Sequence, residues 1–194
     1  MTRTKLGSWM VAGLLSVAFV AAQESAKPAR TPDVPYVPTT EKAVQEMLKL
    51  ANVKKSDVLY DLGCGDGRIV ITAAKLFGTR GVGIDINPER IKEARENAKR
   101  EGVENLVRFE ENDLFVADIK PASVVTLFLL SSVNLKLRPR LLEELRPGTR
   151  VVSNTFDMGD WKPEKEAFVG DADGGEDFSG LSQRLYLWTI PTKK

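Results

Sequence analysis

The chain of 194 residues contains no histidine and a single cysteine, Cys64. Without histidine it cannot build a Ser-His-Asp or Cys-His catalytic group, a histidine-ligated metal site or a histidine pH switch. One cysteine allows neither an internal disulfide nor a cysteine-rich zinc site. The 28 Lys and Arg residues nearly balance the 27 Asp and Glu residues, so the bulk charge gives no reason to expect a polyanionic partner. These absences argue against most hydrolases, and we expect no metal site.

An uncharged apolar run lies near the N-terminus. Two basic residues precede Trp9–Ala22, which ends in the small residues that a signal peptidase reads. We interpret residues 1–22 as a secretory signal peptide, with an uncleaved anchor left open. This predicts an exported (periplasmic or extracellular) or membrane-anchored protein, with a cytoplasmic location as the alternative. Residues 23–34 are polar and proline-bearing, as in a linker, and 35–194 has the length of one domain.

The most informative segment is Val58–Arg68, with the sequence VLYDLGCGDGR. An apolar run ends in Asp61, and a helix-like run, Ile69–Phe77, follows the segment. Between them, three glycines occupy alternate positions: Gly63, Gly65 and Gly67. Strand, glycine turn and helix together present backbone N–H groups to a nucleotide-like ligand. The spacing differs from the G-x-G-x-x-G pattern of dinucleotide sites. We interpret Cys64 as a small residue that fills this turn, in preference to a reactive thiol.

A second strand candidate, Gly81–Asp85, ends in a carboxylate 24 residues beyond Asp61. A carboxylate about 20 residues after the first, at the tip of the second strand, can accept hydrogen bonds from both hydroxyls of a ribose. We expect Asp85 to contact only the ribose, so that its loss weakens ligand binding without changing the stability of the ligand-free protein.

The order of these features resembles the motifs of the class I S-adenosylmethionine (SAM) methyltransferases. In that family an Asp or Asn after the third strand, here Asn112 or Asp113, binds the adenine amino group. The next residue, Leu114, would cover the face of the ring. The resemblance implies SAM as the cofactor and places Ile86, beside Asp85, in its site. From the residues alone, Asp85 and Asp113 also fit polar strand ends without a ligand.

A narrower resemblance covers Pro35 to Trp161. PYVPT, a helix of about a dozen residues, VLYDLGCGDGRIVI and the later segment VVTLFLLSSVNLKLRPRLLEELRPGTRVVSNTFDMGDW are similar to a group of lysine methyltransferases. That group includes crenarchaeal broad-specificity enzymes and mitochondrial enzymes that methylate inner-membrane proteins. The resemblance implies that these residues bind the cofactor: Tyr36, Thr39, Asp61, Gly63, Gly65, Asp85 and Asp113. By composition alone, PYVPT also fits a rigid lead-in to a helix capped by Thr39 or Thr40.

The sequence departs from that group at two places. Ser131 stands where a proline usually follows the paired leucines, in a loop that borders the transferred methyl group. In the same loop we choose Asn134 as the candidate catalytic residue, acting as an orienting group, although it also fits the cap of the next helix. The second departure is the acidic stretch 171–177, DADGGED, which we interpret as a solvated loop in preference to a calcium loop.

The remaining patterns predict an α/β fold with a Rossmann-like, doubly wound, mostly parallel seven-stranded sheet and an antiparallel C-terminal strand. Helices are expected over 88 to about 102 and over 137–145, the latter with Pro139 in its first turn. Further strands are expected at 106–110, 123–130, 149–154, around Phe168 and at 185–190. The ligand should then lie at the carboxyl ends of the parallel strands.

The sequence thus favours a SAM-dependent methyltransferase that acts on an amine, most of all a protein lysine. SAM carries an activated methyl group, so the missing histidine is no objection. A small-molecule methyltransferase and an exported, non-catalytic SAM-fold binding protein remain as alternatives. We expect no nucleic-acid partner, because acidic residues interrupt the basic cluster and no aromatic platform accompanies it. That cluster comprises Lys136, Arg138, Arg140, Arg146 and Arg150. A membrane contact is expected only through an uncleaved N-terminal segment.

Overall fold

The computed structural model of the chain describes Thr31 and residues 34–170 and 183–192. The candidate leader at 1–22, nearly all of the linker and the acidic stretch 171–177 lie outside these residues. Among the helices described, none is both long enough and apolar enough to cross a membrane.

A seven-stranded sheet forms the centre of the fold. Along the chain the elements are α1 (Glu41–Leu50), β1 (Val58–Leu62), α2 (Arg68–Phe77), β2 (Arg80–Asp85), α3 (Pro88–Arg100), β3 (Val107–Glu111), β4 (Val124–Leu127), α4 (Ser131–Glu144), β5 (Arg150–Asn154), β6 (Lys165–Val169) and β7 (Gln183–Thr189). The strand order is β3-β2-β1-β4-β5-β7-β6. Strands β1 to β5 are parallel, and β7 runs antiparallel to both β5 and β6. This confirms the predicted fold class.

The sheet is buried on both faces, as a parallel sheet requires. Helices α1, α2 and α3 cover one face, where their apolar side chains join Leu59, Val124 and Val152 in one core cluster. Helix α4 covers the other face, where Leu137 and Leu141 pack with a second cluster. The strand order reverses direction between β1 and β4, which opens a crevice at the carboxyl ends of these strands.

The predicted helix starts are confirmed at α1 and α3. Thr40 caps α1, and its hydroxyl accepts a hydrogen bond from the Ala43 N–H at 3.3 Å. Asn87 caps α3 by accepting from the Glu89 N–H at 2.9 Å. Gly102 follows the end of α3 with a φ of 68°, the left-handed conformation that a glycine adopts there at no steric cost.

The predictions for β4 and α4 are wrong in their boundaries. Strand β4 ends at Leu127, and α4 begins at Ser131, six residues before the expected start. Phe128 and Leu129 follow the strand and line a cavity. They are apolar for that reason, and not because they belong to the sheet. Pro139 therefore lies inside α4, where it removes one helical hydrogen bond. The packing of α4 on the sheet offsets that loss.

Ser131 occupies the first helical position of α4 and is the site of our first prediction. The preceding Leu130 has an extended backbone, with φ −63° and ψ 151°, which is the conformation required before a proline. Proline also suits a first helical position, since the N–H there has no helical partner. We expect Ser131→Pro to raise the free energy of unfolding by about 0.4–1 kcal/mol, as measured by urea denaturation.

Ser132→Pro is the matched control. Its preceding residue is helical, so the same substitution one position later should destabilise the protein. Equal effects of the two substitutions would contradict the observed start of α4.

Candidate active site

A cavity of about 450 Å³ lies at the carboxyl ends of β1, β2 and β4. Residues 34–39, which we call the lead-in segment, form one wall, and the turn between β1 and α2 forms another. The sequence-predicted residues that line this cavity are Tyr36, Thr39, Asp61, Gly63, Asp85, Ile86, Asp113 and Leu114. The remaining predicted residues, Gly65, Gly67, Asn112 and Asn134, are not part of its lining.

Gly63 brings backbone to the cavity wall, and Gly65 packs against a side chain of that wall. Both have positive φ, 83° and 52°, and both meet a side chain at close range. A Cβ at Gly63 would lie 2.9 Å from Leu129 Cδ2, and one at Gly65 would lie 2.3 Å from Tyr36 Cε2. A larger residue at either position would displace a side chain that itself lines the cavity.

Gly67 has a packing role. It precedes α2 with a φ of 80°, and a Cβ there would lie 2.7 Å from the Phe109 ring. Because Gly67 has no side chain, the start of α2 can pack against Phe109 of β3. That Gly67 binds the cofactor stays a prediction.

Asp85 lies at the tip of β2 and organises two turns. Its Oδ2 accepts a hydrogen bond from the Gly65 N–H at 2.9 Å, and its Oδ1 accepts from the Asn87 N–H at 2.9 Å. The expectation that Asp85 meets only a ribose is wrong, because its carboxylate already satisfies two backbone donors. Removing it would cost stability even without a ligand.

Asn112 and Asp113 divide two roles that the sequence left open. The Asn112 N–H donates to the Asp85 carbonyl at 3.0 Å, and its Oδ1 accepts from the Asp113 N–H at 2.8 Å. Asp113 lines the cavity, while its Oδ1 accepts from the Phe115 N–H at 2.8 Å. Asp113 is therefore placed to meet a ligand, and Asn112 supports it from behind.

Leu114, the predicted cover of the ring, also lines the cavity. The Arg140 guanidinium reaches across from α4 and donates to the Leu114 carbonyl at 2.7 Å. The same side chain pairs with Glu144 at 2.6 Å. Helix α4 thereby fixes the segment that follows β3 and holds Leu114 in the cavity wall.

Asp61 is a buried carboxyl group in the cavity floor. Its side chain is only 2% exposed, and its Oδ1 accepts a hydrogen bond from the Thr126 hydroxyl at 2.8 Å. The pKa of Asp61 is raised to about 7: burial is the main cause, the hydrogen bond from Thr126 acts against it, and the nearby charges of Asp85 and Asp66 add to it. A cationic group of a ligand beside Asp61 would favour its charged form.

The sequence reasoning missed the residues that fasten the lead-in segment. Arg68 donates to the Thr39 carbonyl at 2.8 Å and pairs with Asp66 at 2.6 Å. Burial raises the pKa of Tyr36, and the adjacent Asp66 carboxylate raises it further. Arg90 lies over the Tyr36 ring, 4.8 Å from its centroid. Asp66 and Arg68 flank Gly67 in the GDGR sequence, but no local pattern indicates that they reach back to residues 36–39.

Cys64 agrees with its interpretation as a small residue within the turn. Its side chain is buried, and burial raises the pKa of its thiol well above the ordinary value. A thiol with a raised pKa is a poor nucleophile.

Asn134 lies in the first turn of α4 and not in the loop where the sequence placed it. It is fully buried, and its Nδ2 donates to Ser153 Oγ at 3.2 Å and to the Phe156 carbonyl at 3.1 Å. Phe156 in turn stacks on Phe128, which lines the cavity. Through these contacts Asn134 holds the rim of the cavity, and its role as an orienting group for the reaction stays a prediction.

The raised pKa of Asp61 generates a pH prediction. The unfolded carboxyl ionises near pH 3.8 and the folded one near pH 7. The stability that this group contributes is therefore fully present below pH 3.8 and is lost as the pH rises through about 7. The Asp61→Asn side chain stays neutral at every pH, so its contribution to stability does not change with pH. The difference in free energy of unfolding between this variant and the wild type should therefore shift by about 2–3 kcal/mol in favour of the variant between pH 5 and pH 8.5.

Urea denaturation of the ligand-free proteins at several pH values measures this difference. Asp57→Asn is the control: burial acts to raise the pKa of Asp57, but hydrogen bonds from Ser123, the Lys54 N–H and Arg150 hold it low. Its contribution should stay constant from pH 5 to pH 8.5. A pH-independent gap for Asp61→Asn would show that Asp61 is already ionised in the folded protein at pH 5.

Known proteins are similar to this chain in sequence and in fold. Residues 61–165 match the family described as the ANTKMT methyltransferase domain. A protein-lysine N-methyltransferase of Saccharolobus islandicus is 46% identical over 84% of this chain and 98% of its own length. A human lysine N-methyltransferase, named for a subunit of ATP synthase, is 34% identical over 80% of this chain and 68% of its own length.

A solved structure agrees with these relatives in fold and cofactor. It is described as an RNA methyltransferase from Salinibacter ruber in complex with S-adenosyl-L-homocysteine, the product that SAM leaves. It is 54% identical to this chain, with a TM-score of 0.73, and the match covers 81% of this chain and 96% of that one. The cavity fits SAM, since it combines a glycine-backbone wall with carboxylates for ribose hydroxyls and for a cation. The chain therefore belongs to the ANTKMT methyltransferase domain family, and it is a SAM-dependent N-methyltransferase of class I fold.

Proposed function

We propose that this enzyme transfers the methyl group of SAM to the ε-amine of a lysine in a protein. The observation that carries the proposal is the relative from Saccharolobus islandicus, which is described as a protein-lysine N-methyltransferase and matches over nearly its whole length. The human relative, whose name pairs lysine methylation with an ATP synthase protein, supports the same acceptor chemistry.

The apolar side of the cavity suits a lysine acceptor. Phe128, Leu129 and Val133 line it next to the glycine turn. An amine that enters such surroundings is desolvated, which lowers its pKa and favours the neutral form with a free lone pair. The enzyme thus needs no strong base to prepare the nucleophile.

The chain's own residues bind and orient the reactants. When bound, SAM supplies a methyl group on a cationic sulfur that needs no further activation. In this proposal Asp85 binds the ribose and Asp113 binds the adenine, and the lead-in segment, which lines the same cavity, covers the cofactor on one side. We place the acceptor beside the rim held by Asn134, where the amine must be aligned at about 3–3.5 Å from the methyl carbon.

Protein is a better acceptor than RNA for the charge distribution of this chain, although the Salinibacter relative is described as an RNA methyltransferase. Three of the five residues in the basic cluster, which extends from α4 to the start of β5, bind the chain itself. Arg138 donates to the Met158 carbonyl and pairs with Asp160, and Arg140 holds Leu114. Arg150 donates to the Ala51 and Asn52 carbonyls and pairs with Asp57. These cations are used for packing, which leaves fewer for phosphates.

The test uses purified protein, methyl-labelled SAM and an extract of the source cells. We expect label in protein that protease removes and nuclease does not, with methyl-lysine located by mass spectrometry. Acetylation of the extract beforehand should abolish labelling, because it converts the lysine amines to amides that have no free lone pair. Label lost to nuclease would support RNA, and label only in small molecules would support a metabolite acceptor.

A pair of variants controls for the cofactor site. Asp85→Asn should reduce labelling by at least tenfold, whereas Glu89→Gln, on the exposed first turn of α3, should leave it unchanged. SAM binding without transfer to any extract fraction would favour a non-catalytic binding protein and contradict the proposal.

We also propose that residues 1–22 direct the chain to the membrane or beyond it. The charged start and short apolar run support this, and SAM synthesis in the cytosol opposes it. Fractionation of cells with an antibody to the enzyme should find it outside the cytosol, and deletion of residues 2–22 should return it there. An unprocessed chain in the cytosolic fraction would contradict the proposal.

A further inference from the structure

Arg90 lines the cofactor cavity, although no sequence motif indicates a role for it. It is the third residue of α3. Its Nη1 lies 2.6 Å from Glu93 Oε2, and its Cζ lies 4.8 Å from the centroid of the Tyr36 ring. A guanidinium at this distance over an aromatic face is attracted by the ring.

The Tyr36 ring is held from two sides. Arg90 lies over the ring, and the ring packs so closely on Gly65 that a Cβ there would come within 2.3 Å of it. Tyr36 is nevertheless 45% exposed. Burial alone therefore does not fix its position, and the contacts with Arg90, Gly65 and the adjacent Asp66 must do so.

The lead-in segment is fastened at both ends and is most exposed in its middle. Thr39 is only 4% exposed, and its carbonyl accepts from Arg68 at 2.8 Å, just before α1. Val34, at the other end, packs against the second core cluster. Between them Val37 is 57% exposed beside the 45% exposed Tyr36, and Arg90 holds this middle part through its contact with the Tyr36 ring.

We propose that Arg90 is a positioning residue that presses the Tyr36 ring against the glycine turn and so keeps the lead-in segment closed over the cofactor. Glu93 pairs with Arg90, so the attraction to the ring is retained while the positive charge next to a cationic cofactor is offset. The proposal rests on SAM binding in this cavity and not on the identity of the methyl acceptor.

A double-mutant cycle on the full-length enzyme tests this, with the Kd for SAM from calorimetry and the SAM dissociation rate from stopped-flow. Arg90→Leu should weaken SAM binding about threefold to tenfold, mainly through faster dissociation. Tyr36→Phe keeps the ring, so the effect of Arg90→Leu should persist in that background. In the Tyr36→Leu background it should disappear.

Two further variants separate positioning from a general loss of stability. Arg90→Lys keeps a cation over the ring and should recover part of the affinity. Arg100→Leu removes another arginine of α3, one that bonds to Asn97, and should leave the Kd unchanged. The melting temperature of ligand-free Arg90→Leu should match that of Arg100→Leu within a few degrees.

The proposal is overturned if Arg90→Leu weakens SAM binding equally in the Tyr36→Leu background, since Arg90 would then contact the cofactor directly. It is also overturned if the wild type binds SAM and the single variant Arg90→Leu binds it with the same Kd. Absence of SAM binding by the wild type would be a different result, because it would remove the cofactor site itself together with the role of Arg90.

Discussion

The backbone of the turn between β1 and α2 lies so close to neighbouring side chains that its contact positions have no room for a Cβ atom. The rest of the site depends on this close packing. Each of the three glycines of the turn meets a different part of the fold: Gly63 meets Leu129, Gly65 meets Tyr36, and Gly67 meets Phe109. The turn thus touches the connection after β4, the lead-in segment and β3. A Cβ at any of the three positions would require a neighbour to move, which explains a glycine at every second residue.

Carboxylates complete what the glycine backbone begins. Asp85 accepts from the N–H of Gly65, so the second strand fixes the conformation of the turn that follows the first. Asp61 lies in the cavity floor, where burial disfavours its ionised form and so raises its pKa. Retaining a buried carboxyl group that burial penalises is more easily explained by ligand binding than by folding. The same reasoning fails for Asp57, whose hydrogen bonds and ion pair tie β1 to β4 and β5 without reaching the cavity.

The sequence predicted the parts of the fold that depend on local signals. The caps at Thr40 and Asn87, the glycine turn and the acidic tip of β2 all lie where their residue types indicate. The prediction failed where tertiary contacts decide. The run Ser123–Leu130 has the composition of one long strand, yet its last part turns away to line a cavity. The first turn of α4 carries no side-chain cap to announce it.

The site divides in the same way. The cofactor side follows from spacing, because parallel strands bring the residues at their carboxyl ends to one edge. The residues that hold this side together, Arg68 and Arg90, act on a segment about 30 and 50 positions earlier in the chain, and no periodicity encodes such contacts. On the side of α4, Asn134 bonds to Ser153 and to the loop after it, 19 or more residues away. These contacts join α4 to β5 and to the loop that follows it, and a local pattern in one sequence cannot specify them.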